Sequence, residues 1–152
     1  MKKTKIIFCM LLAGGFFAAG CASLNIFKSK ISIDDVIAQK AVIDGTDNPA
    51  KRYTLLNELR DKKIVIENIT VKDITESSHI DYSFCVLADL TSGGKKVECD
   101  IYSHNIKVIA KLVKGKSVIN ATGSFERFFS TLDDYYAKIE IIDASIKLRE
   151  EK

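Results

Sequence analysis

The chain has 152 residues, 47% of them hydrophobic and 28% charged, with 23 basic side chains against 20 acidic ones. A single proline, no internal repeat and no low-complexity stretch exclude fibrous, repeat and disordered classes and leave one packed domain. A formal charge of +3 is too slight to mark a strongly basic nucleic-acid binder.

The chain opens with the basic segment Met1-Lys2-Lys3-Thr4-Lys5, followed by an apolar run of 14 residues, Ile6 to Ala19. That order is the layout of a secretory signal peptide. As a helix the run reaches only about 21 Å, short of a hydrocarbon core of about 30 Å, so it predicts a leader over 1–20 and no transmembrane helix. Ala18-Ala19-Gly20-Cys21 resembles the bacterial lipobox, with Ala18 where leucine is usual. The resemblance implies cleavage before Cys21 and lipid on its sulfur, which makes a membrane the first expected partner. Several acyl chains together bind a bilayer firmly. Residues 21–31 then form a tether, and Ala22 to Ile31 as flexible coil spans roughly 16–19 Å. Ala22 is not the aspartate that resembles an inner-membrane retention signal, which points to an outer membrane where one exists. Without Lys2, Lys3 and Lys5, 20 of the 23 basic side chains face 20 acidic ones, so the mature chain is formally neutral. Nucleic acid is therefore not an expected partner.

A helical leader is expected over 32–61. Ser32 caps a first helix with Asp34 and Asp35 in its first turn, Val36, Ile37 and Ala41 on one face, and Gly45 at its end. Asn48-Pro49 reads as a cap followed by proline at the first helical position, with Leu55, Leu56 and Leu59 as the apolar stripe. From Lys62 the period changes to two. Ile64 and Ile66 slip in phase to Ile69 and Val71, which predicts a β-bulge near Glu67-Asn68. Tyr82 to Leu90 and Lys95 to Tyr102 form the second and third strands. A short helix capped by Ser103 follows, carrying Ile106, Ile109, Ala110 and Val113. Ser117 to Phe129 and Tyr135 to Leu148 complete the set, the last with a slip at Ile141-Ile142. Lys107, Lys111, Lys114 and Lys116 are a lysine run without acids and read as a solvated helix face.

Three strands, a helix and two more strands, with bent first and last strands, is the order of an OB barrel. The predicted class is α+β, mainly β: a five-stranded OB-type Greek-key barrel over 62–152, preceded by the helical leader. Lys63-Ile64-Val65-Ile66, Val97-Glu98-Cys99-Asp100-Ile101, and Leu112 to Val118 leading to Gly123 resemble the OB-fold family described as tRNA-anticodon-domain-like. Many of its members are small exported lipoproteins. Glu67-Asn68 stands where that family commonly has a bend glycine.

Two cysteines remain after Cys9 and Cys21. If residue 90 pairs with 94, Cys85 lies opposite Cys99 and a disulfide is geometrically allowed; if Ser92-Gly93 is a two-residue turn, the two point to opposite faces, and two small buried thiols are the competing reading. His79 and His104 have no metal-ligand spacing. Asp133-Asp134 reads as a turn, and Gly93-Gly94 precedes no helix that would cradle phosphate. No catalytic residue, metal or cofactor is therefore expected. The site candidates are aromatic: Phe129, Tyr135 and Tyr136, with Phe125 and Phe128 nearby. Their faces suit stacking on a base or sugar ring, and packing within the hairpin is the competing reading. These features predict a non-catalytic module for an envelope component or protein partner. The alternatives are oligonucleotide capture and an envelope enzyme or accessory subunit.

Overall fold

The computed structural model describes residues 28–129 and 134–149. The leader, Cys21 and the tether up to residue 27 lie outside the described residues, as does the loop 130–133. Strand β1 (Lys30–Ser32) leads into helices α1 (Ile33–Asp44) and α2 (Pro49–Arg60). Strands β2 (Lys63–Glu76), β3 (Phe84–Ser92) and β4 (Lys95–Tyr102), the short helix α3 (Ile106–Ile109), and strands β5 (Val118–Phe129) and β6 (Ala137–Leu148) follow.

Both leader helices begin where local chemistry places them. Ser32 Oγ accepts from the Asp35 amide at 3.1 Å, and Asn48 Oδ1 accepts from Ala50 and Lys51 ahead of α2. Val36, Ile37, Ile43 and Leu59 are buried in the main core. Ala41, expected on the packed face of α1, is exposed and Ile43 is buried instead. The last residues of the expected tether are also ordered differently. Lys30 and Ile31 are part of β1, which runs parallel to β2 with Ile31 beside Ile64. Burying Ile31 against the core favours a strand over free coil there.

The strands close in the order β2-β3-β4-β6-β5 and back to β2, with β4 and β6 parallel and the other barrel neighbours antiparallel. With α3 between β4 and β5, this is the OB fold. The register along β2 shifts between Ile66 and Ile69, at the expected bulge. Asn68 takes φ 56°, the left-handed conformation that glycine usually supplies. A second shift lies between Val71 and Asp73, as the strand turns from β5 to β3. On β6 the expected slip is matched by Asp143 at φ 51°. Isoleucine and valine from all five strands fill the interior. Ile109 of α3 and Leu112 just after it join that core, and α1 and α2 cover the other end.

The β3–β4 hairpin corrects the sequence reading. Ser92 pairs with Lys95 across Gly93-Gly94, both at positive φ, so neither register considered from sequence forms. Ala88 lies opposite Cys99, and Cys85 opposite Tyr102. Cys99 faces the core, Cys85 packs outside it with Tyr82 and Tyr102, and both are free thiols. The Cys85–Cys99 disulfide that one register would have allowed is absent, because the cysteines sit three positions apart in register on opposite faces, and the reading of two buried thiols holds. Helix α3 is shorter than expected and its cap is Asn105, while Ser103 Oγ accepts from the Asn105 amide.

Gly123 on β5 leaves no room for a side chain against β6. A β-carbon there would lie 2.6 Å from Ile141 Cγ2 and 2.8 Å from the Ile142 carbonyl. Gly123→Ala should lower stability by about 1–3 kcal/mol, read as a drop in the thermal unfolding midpoint.

Candidate functional site

Alternation along β4 sends Val97, Cys99 and Ile101 inward and Glu98 and Asp100 outward. On the outer face Asp89 lies opposite Glu98, and Asp100 is flanked by Glu140 of β6. Adjacent carboxylates repel, so this face is stable only with cations between them. Lys72 of β2 hydrogen-bonds Glu98 and lies 3.3 Å from Asp89 Oδ1. Lys138 reaches Glu98 Oε1 at 2.9 Å, and Arg127 Nε donates to Glu140 Oε2 at 2.5 Å. Glu98 and Glu140 are only 6% and 1% exposed, so each depends on its cation.

The titration behaviour follows from these contacts. Hydrogen bonds to Glu98 and then to Tyr135 hold the Lys72 ammonium well above the ordinary lysine range, against its desolvation. Burial pushes the Glu98 carboxyl up, but hydrogen bonds from Lys72 and Lys138 outweigh it and leave Glu98 below the usual value. Asp100 goes the other way. Burial, reinforced by Glu98, raises it to about 6, and its Oδ1 is buried without a hydrogen-bond partner.

The aromatic candidates meet this network at the end of the barrel where the β3–β4 hairpin turns. Tyr135 Oη donates to Asp89 Oδ2 at 2.8 Å and accepts from Lys72 Nζ at 2.6 Å. Lys96 lies 4.2 Å from its ring centre, Lys72 4.9 Å and Lys138 5.1 Å. The Tyr136 amide donates to the Lys96 carbonyl at 2.8 Å, and Lys95 sits 3.8 Å from the Tyr136 ring centre. Phe129 lies opposite Lys138 with the Arg127 guanidinium 4.7 Å from its ring. Phe129, Tyr135 and Tyr136 thus form a half-buried rim interleaved with cations. Phe125 turns into the core, with Phe128 packed against it at 4.8 Å. Aromatic proximity in sequence signals this rim. Lys72, Asp89 and Glu98 carry no such signal, because they come from three separate strands.

A second cluster escaped the sequence reading. His104 stacks on Tyr82 at 4.5 Å, and His79 meets the same ring edge-on at 5.0 Å. Tyr82 Oη donates to Asp143 Oδ1 at 2.9 Å and accepts from the Asp143 amide at 3.1 Å. Burial, then the bond to Asp143, raises the Tyr82 phenol. This cluster ties the β2–β3 loop to the bulge in β6. Asp134 is exposed, and Asp133 and Cys21 lie outside the described residues. Among the described residues, no group of three His, Cys, Asp or Glu side chains is placed to hold a metal ion.

No family model and no curated protein sequence matches this chain. Two solved structures from Saccharomyces cerevisiae are similar to it. DNA-binding domain A of replication protein A is 6% identical at a TM-score of 0.35, covering 60% of this chain and 84% of that one. A mitochondrial single-stranded DNA-binding protein is 10% identical at a TM-score of 0.34, covering 59% and 97%. At that level of superposition, what those proteins bind does not transfer to this chain.

A carboxyl harder to ionise in the folded than in the unfolded chain favours folding while it is protonated. Its contribution is fully present below the unfolded value and lost as pH rises through the folded one. For Asp100 that window runs from 3.8 to about 6. Asp100→Asn should therefore stabilise the protein at pH 7 by on the order of 1–2 kcal/mol. Paired unfolding curves at pH 7, 5 and 3.5 should show the gain shrinking as pH falls.

Proposed function

We propose that the chain is an exported lipoprotein, cut before Cys21 and anchored by lipid on that sulfur. Its OB domain then serves as a non-catalytic module that binds an envelope component or protein partner through the rim of Phe129, Tyr135 and Tyr136. The observation that carries the binding half is that rim. Aromatic rings are held at fixed positions by Lys72, Lys95, Lys96 and Lys138, at the edge of a barrel whose interior is filled by its own side chains. A packed barrel presents ligands with its outer face and loops, and ordered aromatic side chains give contact area at small entropic cost. The anchor half rests on the signal-peptide layout, the lipobox resemblance and the resemblance to the tRNA-anticodon-domain-like lipoproteins.

Single-stranded nucleic acid is the second reading, favoured by lysines beside aromatic rings. Asp89, Glu98, Asp100 and Glu140 directly alongside oppose it, because phosphates would meet carboxylates that are buried or half-buried. Binding to oligonucleotide should stay at the non-specific level, with Kd about 10⁻⁴–10⁻⁶ M near physiological salt.

Two measurements on the full chain test the halves separately. The parent should fractionate with membranes and Cys21→Ser should not; equal fractionation would end the anchor reading. The double change Tyr135→Ala/Tyr136→Ala should retain the fold by circular dichroism and lose the envelope component recovered with the lipidated parent. Undiminished recovery would remove the rim from the site.

A further inference from the structure

The end of the barrel opposite the leader helices has a different surface chemistry. From Ile101 to Phe125 the sequence contains no acid, and within that stretch Lys107, Lys111, Lys114 and Lys116 are all exposed. Large apolar side chains stand among them: Ile106 is 49% and Val113 52% exposed. Ile80, at the tip of the β2–β3 loop on the same end, is 96% exposed. Between α3 and the strands is an apolar cleft lined by Ile74, Phe84, Ile106, Ile109, Ala110 and Leu112. Among the described residues the acids at this end are few. Asp73 is held by Lys114 at 2.6 Å, Asp143 by Tyr82 and His104, Asp81 lies 3.8 Å from His79, and Glu76 closes β2.

We propose that this α3 end docks on the anionic lipid headgroups of the bilayer that holds the Cys21 anchor, with Ile80, Ile106 and Val113 entering the interface and the lysines on the phosphates. Exposed apolar side chains ringed by lysine are the pairing that an anionic membrane surface accepts. The sequence alone suggests a solvated helix face, but α3 proper has only four residues and its lysines share a surface with exposed isoleucine and valine. The tether limits the orientation. The Ser29 carbonyl accepts from the Lys63 amide and Lys28 Nζ donates to the Arg60 carbonyl, so the chain is held at the leader end as far back as Lys28. Seven residues from Cys21 to Lys28 reach about 24 Å when extended. The eleven steps of β2 from Lys63 to Ile74, tilted as barrel strands are, cover about 28 Å along the axis. The docked module therefore leans, its axis inclined to the membrane and its α3 end in contact with it. This orientation rests on the lipid-anchor reading; attraction of the lysines to anionic lipid does not.

The chain contains no tryptophan, so one introduced at Val113 reports alone. Full-length lipidated Val113→Trp, with Ile106→Trp as a second reporter, would be bound to vesicles of brominated phosphatidylglycerol or brominated phosphatidylcholine. Tyr53→Trp on α2 marks the opposite end. The Val113 and Ile106 reporters should be quenched on phosphatidylglycerol and not on phosphatidylcholine, and the Tyr53 reporter on neither. Lys107→Glu/Lys111→Glu should abolish the quenching, each lysine contributing roughly fivefold to surface affinity. Unquenched reporters on phosphatidylglycerol, or equal quenching on both lipids, would overturn the docking. Loss of the anchor reads out differently: the chain would fail to sediment with phosphatidylcholine vesicles, whatever its reporters do on phosphatidylglycerol.

Discussion

Strand β2 pairs with β1 and β5 along its first half and with β3 along its second. A straight strand would leave the sheet open between β3 and β5, so closure depends on how β2 bends. The bend is centred on Asn68, which occupies left-handed backbone that costs an ordinary L-residue about 1–2 kcal/mol. Three contacts hold it. The Asn68 amide donates to Asn120 Oδ1 at 2.8 Å, its Oδ1 accepts from Arg149 at 2.5 Å, and Ile66 and Ile69 are buried on either side. Asparagine thus does the work of the bend glycine and adds a hydrogen bond that glycine lacks.

Closure in turn decides where chemistry resides. Once the barrel is shut and filled, polar side chains on the strands have only the outer face. There Asp89, Glu98, Asp100 and Glu140 lie close enough to repel, and Lys72, Lys138 and Arg127 answer three of them. The same cations reach the rim aromatics, so the electrostatic network of the sheet and the placement of Phe129 and Tyr135 are one arrangement. Asp100, whose Oδ1 is buried with no hydrogen-bond partner among the described residues, is a point where the balance is incomplete.

Much of this was legible in the sequence where the cause is local. Ser32 and Asn48-Pro49 mark both leader helices, because capping needs only neighbouring residues. The phase slip after Ile66 marks the bulge, because inward-facing residues must stay inward. Hairpin register was not legible. The sequence suggests a 90–94 pairing or a Ser92-Gly93 turn, and the turn instead forms at Gly93-Gly94, where both central residues tolerate positive φ. Ala41 and Ile43 exchanged burial because the face of α1 is set by the barrel beneath it. The rim could be found from adjacent aromatics, whereas the cations holding it, and the cluster of His79, Tyr82, His104 and Asp143, are assembled by topology alone.

The most direct test of this account is the unfolding free energy of Asn68→Gly against Asn68→Ala, measured by denaturant titration. Closure through a left-handed kink predicts that the alanine variant is less stable than the glycine variant by about 1 kcal/mol or more. Wild type should lie at or above glycine through its bond to Arg149. Alanine and glycine variants of equal stability would contradict the claim that backbone conformation at this position closes the barrel.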